Sequence, residues 1–127
     1  MLRSIASIAL ATLAGLATTA ATASERQANY SQQYTCSAAR FVVARAVPGR
    51  TDKAAADEAV EVCVTQASLA REYKGYVKYE ERNPDTLAKE LAERRNLVAG
   101  ALQSNARDCS NRGAGRASAL LACLRKD

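Results

Sequence analysis

The chain has no histidine and no tryptophan, one phenylalanine (Phe41) and two prolines in its 127 residues. Without histidine, the commonest general base and the commonest nitrogen metal ligand are both missing. No two cysteines form a CxxC pair, so zinc and thioredoxin-like redox chemistry lack their usual spacing. No alternation of apolar and polar residues marks a strand, so a glycine-rich phosphate loop has no strand to follow. The longest apolar run falls short of the about 20 residues that span a bilayer, so no transmembrane segment is expected. These absences predict no catalytic residues, no metal ligands and no cofactor, and the chain is not expected to be an enzyme. Glu80-Glu81 and Glu90 with Glu93 resemble carboxylate pairs. However, Glu90 stands four residues before Arg94, and Lys89 four before Glu93, the spacing of surface ion pairs on a helix. Short helices also offer no cleft across which two acids could face each other.

Large side chains are scarce, and much of the 48% hydrophobic content is alanine, which buries little area. A single domain of this length with so thin a core benefits from cross-links. The N-terminus reads as an export signal. Met1-Leu2-Arg3 is positive, Ile5–Leu16 is apolar, and Ala21-Thr22-Ala23 places small residues where a signal peptidase reads. Cleavage after Ala23 is expected, leaving residues 24–127 as one domain, periplasmic or secreted. Loss of Arg3 lowers Lys plus Arg from 18 to 17 against 13 Asp plus Glu, a net charge of +4. The signs are mixed along the chain, so the charges read as a solvated surface, and nucleic acid is not an expected partner.

Ala, Glu, Arg, Lys and Leu dominate the remainder, and apolar residues recur at helical spacing, which predicts an all-α bundle of about four helices. The first runs from about Tyr30 to Val47, with Tyr34, Ala38, Phe41, Val42 and Arg45 on one face and Cys36, Val43 and Val47 on an adjoining stripe. Residues 24–29 read as a frayed start, and Pro48-Gly49 as the stop. Thr51 or Asp52 caps a second helix to about Arg82, read as the central one. Its apolar face is Ala56, Val60, Cys63, Val64, Ala67 and Ala70. Asn83-Pro84-Asp85 combines an N-cap, a proline suited to the first helical position and an acid at the positive helix end. The third helix runs from there to about Asp108, with Leu87, Leu91, Val98 and Leu102 on one face. After a loop at 110–115, a short fourth helix covers about Arg116–Arg125.

Cys36, Cys63, Cys109 and Cys123 all follow the leader, and four cysteines in an exported domain read as two disulfides. Cys36 lies 12 residues before Pro48 and Cys63 lies 11 after Asp52. At 1.5 Å per residue both sit roughly 17–18 Å from the turn, opposite each other in a helical hairpin. This favours Cys36–Cys63 and leaves Cys109–Cys123. Each bridge is worth roughly 3 kcal/mol through the unfolded chain.

Two stretches are candidate binding surfaces. Between Arg71 and Arg82, Tyr73, Tyr76 and Tyr79 recur every three residues among Lys74, Lys78 and Arg82. Tyrosine and arginine each bury a large area while keeping a polar tip, as binding hot spots do. The alternative is that Tyr73 and Tyr76 belong to the core. The second stretch is a cationic end formed by Arg107, Arg112, Arg116, Arg125 and Lys126, suited to an acidic partner, anionic glycan or lipid headgroup.

The tail from Arg107-Asp108-Cys109 to Cys123-Leu124 resembles that of the lysozyme-inhibitor-like family of small exported bacterial helical proteins, in which an Arg-rich helix ends in a cysteine followed later by a Cys-Leu pair. The 27-position separation of Cys36 and Cys63 and the lack of a tail tryptophan depart from that family. Compartment, disulfides and the missing catalytic inventory together predict a non-catalytic periplasmic binding protein. The expected role is an inhibitor or immunity protein that occludes a cell-wall-degrading enzyme, such as a peptidoglycan hydrolase. A secreted interaction or effector protein acting on a host or the envelope is the alternative, and a second copy of the chain is a further admissible partner.

Overall fold

The computed structural model describes residues 23–73 and 82–126. Those residues form five helices and no strand: α1 (Ala23–Arg45), α2 (Asp52–Cys63), α3 (Gln66–Ala70), α4 (Pro84–Asn111) and α5 (Ala117–Lys126). The expected leader, apart from Ala23, lies outside the described residues. No helix among them is long and apolar enough to cross a membrane.

The α1–α2 hairpin forms as its turn chemistry predicts. Gly49 has φ +81°, a left-handed conformation that side chains resist. Thr51, extended, accepts a hydrogen bond from the Ala54 amide at 3.1 Å and so caps α2. Arg45 reaches across the turn to Asp52 at 2.8 Å. The Cys36–Cys63 bridge, with Cα atoms 5.8 Å apart, closes the far end of the pair. At α4, Asn83 accepts from the Asp85 amide at 2.8 Å and Pro84 occupies the first turn. Cys109–Cys123 ties the end of α4 to α5. Both bridges follow the pairing expected from the sequence.

Three boundaries differ from expectation. The first helix begins at Ala23 rather than near Tyr30, because buried Asn29 and Gln33 anchor its start through polar contacts rather than apolar ones. The second helix does not continue to Arg82; it ends at Cys63. Val64 is extended at φ −112° and ψ +98°, and Thr65 then starts α3 with a capping box. Thr65 Oγ1 accepts from the Ser68 amide at 3.1 Å, and the Ser68 hydroxyl accepts from the Thr65 amide at 2.9 Å. The β-branched pair Val64-Thr65 suits the break. Breaking there still buries Val64 completely. α4 runs three residues further than expected, to Asn111. Nor is the second helix the central one: α1 and α4 each touch every other helix.

The core is small and alanine-rich. Phe41, Leu102, Leu120, Leu124, Val64 and Val98 are its largest fully buried apolar side chains, and Ala38, Ala55, Ala56, Ala59, Ala99 and Ala106 fill the spaces between helices. Burial of Phe41 alone is worth roughly 1.5–3 kcal/mol. A polar cluster lies inside as well. Glu72, 6% exposed, accepts two hydrogen bonds from Arg94 at 2.8 and 2.9 Å and one from Asn29. Arg94 also donates to Gln33 Oε1 at 2.9 Å, and Gln33 donates to the Ser68 hydroxyl at 2.9 Å. This cluster joins α1, the end of α3 and α4.

Candidate functional site

The most distinctive surface lies on the outer side of the α1–α2 pair. Phe41 and Val42 turn inward from α1, whereas residues 36, 39, 40, 43, 44 and 47 recur at three- and four-residue steps along the opposite side. With Glu58, Ala59 and Val62 of α2 they enclose an open groove of about 620 Å³. Its volume falls within the usual range for ligand and peptide pockets. The floor is apolar. Val43 is 72% exposed, and Val47 and Val62 are each 48% exposed. Those three make up all but one of the large hydrophobic side chains left exposed among the described residues, the other being Leu97 on α4. Cys36 and its disulfide bound one end of the groove, and the Val47–Arg50 turn bounds the other. Arg50 pairs with Glu58 at the mouth, and Arg40 makes no ion pair with any described residue.

Of the tyrosine-rich candidates, Lys74, Tyr76, Lys78 and Tyr79 lie outside the described residues. Tyr73 and Arg82, which flank them, meet each other. The Tyr73 hydroxyl donates to Glu90 at 2.7 Å, Arg82 pairs with the other Glu90 oxygen, and the Arg82 guanidinium sits 4.4 Å above the Tyr73 ring. Burial, reinforced by the hydrogen bond to the Glu90 carboxylate and by its charge, pushes the Tyr73 phenol up to about 12. These two side chains are engaged with each other and with Glu90 of α4.

The five cationic candidates do not converge. All are exposed, but Arg116 and Arg125 stand at opposite ends of α5, roughly 14 Å apart at 1.5 Å per residue. Arg107 and Arg112 lie at the end of α4. Arg125, next to Lys126, lines a separate recess with Tyr30 and Asn105. No group of three metal-ligating side chains occurs among the described residues, and all four cysteines are in disulfides.

The groove was visible in the sequence only as the stripe of Cys36, Val43 and Val47. Nothing in the pattern distinguished a stripe awaiting a partner from one covered by the fold. No family model, no curated protein and no solved structure matches the chain.

Proposed function

We propose that the chain is a non-catalytic binding protein of the periplasm or extracellular space, which docks a cell-wall-degrading enzyme on its α1–α2 groove and occludes it. The carrying observation is the cluster of Val43, Val47 and Val62, left 48–72% exposed along one groove. Contiguous apolar surface of this kind on a small domain marks an interaction site. The disulfide at one end of the groove and the capped turn at the other hold its two walls in register. A rigid surface loses little entropy when it binds. Two disulfides are compatible with an oxidising compartment.

The test is capture from envelope extract with the oxidised protein, followed by hydrolase inhibition. Val43→Asp with Val62→Asp, both at exposed positions, should leave the melting temperature within a few degrees while abolishing capture and inhibition. Recovery of no hydrolase and no protection, or full inhibition by the double variant, overturns the reading. Recovery of the protein from culture medium rather than the periplasm favours a secreted effector over an inhibitor.

A further inference from the structure

A separate recess of about 240 Å³ opens beside the first half of α1, bordered by α4 and the last turn of α5. Its builder is Tyr34. This side chain is 8% exposed, and its hydroxyl donates to the Leu124 carbonyl at 3.1 Å while accepting from the Asn105 amide at 2.9 Å. The first contact satisfies a carbonyl in the last turn of α5, where intrahelical partners run out. It therefore fixes the turn that carries Arg125. The second fixes the Asn105 side chain, leaving its carbonyl oxygen and one N–H for a ligand.

The rest of the wall is chemically specific. Tyr30, half-buried, stacks on Tyr34 with ring centroids 6.5 Å apart and planes inclined by 24°. Gln27, Ser31 and Thr35 follow along the same side of α1, and Arg125 stands at the edge. No carboxylate of a described residue lines the recess. Neither the Tyr30 hydroxyl nor the Arg125 guanidinium bonds to any described residue. Two aromatic rings, four neutral groups that can donate or accept, and one cation therefore share a space small enough to take a single six-membered ring.

That set matches a sugar acid. The C–H face of a pyranose stacks on an aromatic ring, its hydroxyls need partners able to donate and accept, and a ring carboxylate takes the guanidinium fork. An inorganic anion would use Arg125 and leave the tyrosine and amides idle. A purely apolar ligand would strip water from four polar groups without replacing it. We propose that this recess binds one carboxylate-bearing saccharide unit, with Tyr30 as the stacking face and Arg125 as the carboxylate anchor. This site is independent of the α1–α2 groove.

Amide-shift titration of the oxidised, isotope-labelled protein with D-glucuronate tests it, with D-glucose and acetate as comparators. The expected result is saturable binding near about 1 mM, typical of a single small ring, with shifts centred on Gln27–Thr35, Asn105 and Arg125. Glucose and acetate should each bind at least about tenfold more weakly, as each lacks one of the two anchors. Arg125→Gln, at an exposed position, should weaken glucuronate about tenfold and leave glucose unchanged. Tyr30→Ala should weaken both sugars. If that variant does not fold, Tyr30→Leu, which keeps apolar bulk without a ring, takes its place. Unsaturable shifts, shifts mapping elsewhere, equal affinity for acetate, or an Arg125→Gln variant that binds glucuronate normally would each overturn the assignment.

Discussion

Replacing Glu72 with alanine tests the interior polar cluster directly. The Glu72 side chain is 6% exposed, and that of its partner Arg94 is 17% exposed. The substitution removes three hydrogen bonds to one carboxylate. Arg94 is left with Gln33, and the Asn29 amide with the Ser68 carbonyl. Breaking a buried pair by removing one member costs about 3–5 kcal/mol, because the remaining charge stays desolvated. Residual hydration of Arg94 places the effect near the lower end, about 3 kcal/mol. That is a large share of the roughly 5–15 kcal/mol typical of a whole domain. At 4–8 °C per kcal/mol, the melting temperature should fall by about 12–24 °C. Thermal and urea unfolding of the oxidised protein, followed by far-ultraviolet circular dichroism, measures it. Arg94→Ala should cost a similar amount. The double variant should be less destabilised than the sum of the singles by about 1–3 kcal/mol, the coupling expected of residues in contact. A Glu72→Ala cost below about 1 kcal/mol, or additivity within about 0.5 kcal/mol, would show that these groups are solvated and hold nothing.

Three further outcomes are expected. Removing Cys36–Cys63, which spans 27 residues, should destabilise by about 3.5 kcal/mol, and removing Cys109–Cys123, which spans 14, by about 3 kcal/mol; denaturant melts of Cys→Ser pairs read the order. Gly49→Ala and Gly100→Ala should move stability in opposite directions by up to about 1 kcal/mol each. Neither added methyl meets a neighbour within 4 Å, but Gly49 has φ +81° and Gly100 lies inside α4; thermal melts decide the sign. Tyr73 ionises near 12 when folded, against about 10 when unfolded. Its neutral form is thus favoured by folding, so that contribution is complete below pH 10 and is lost as pH rises towards 12. Ultraviolet difference titration should lose a phenol that ionises near 12 in Tyr73→Phe.

The parts of the fold that local chemistry dictates were legible in the sequence. Pro48-Gly49 with cysteines equidistant on either side specified the α1–α2 hairpin, and Asn83-Pro84 specified the start of α4. The break at Val64-Thr65 was not legible. The apolar period continues unbroken through Val60, Val64, Ala67 and Ala70, and only the Thr65–Ser68 capping box marks the new start. The beginning of α1 was hidden for a related reason. Asn29 and Gln33 are buried by hydrogen bonding to Ser68, Glu72 and Arg94, and a search for apolar spacing passes over such positions. The recess at Tyr34 joins residues 71 and 90 positions apart, which no local pattern brings together. Val43 and Val47 were recognised as an apolar stripe, but whether a neighbour covers such a stripe depends on tertiary packing.

Each sulfur bridge joins helices adjacent in sequence, so the chain consists of two covalent loops, one closed before residue 64 and the other after residue 108. Neither bridge crosses between α2 and α4. A single peptide cleavage between residues 73 and 82 would therefore leave two separable pieces even without a reductant. They would be held together by non-covalent contacts alone: the shared core that packs Phe41, Val60 and Val64 with Val98, Leu102, Leu120 and Leu124, the Tyr34 hydrogen bonds to Leu124 and Asn105, and the Glu72–Arg94 pair. The nicked protein would run intact on a native gel and as two bands in non-reducing detergent, and its cohesion would measure how strongly the two halves bind each other.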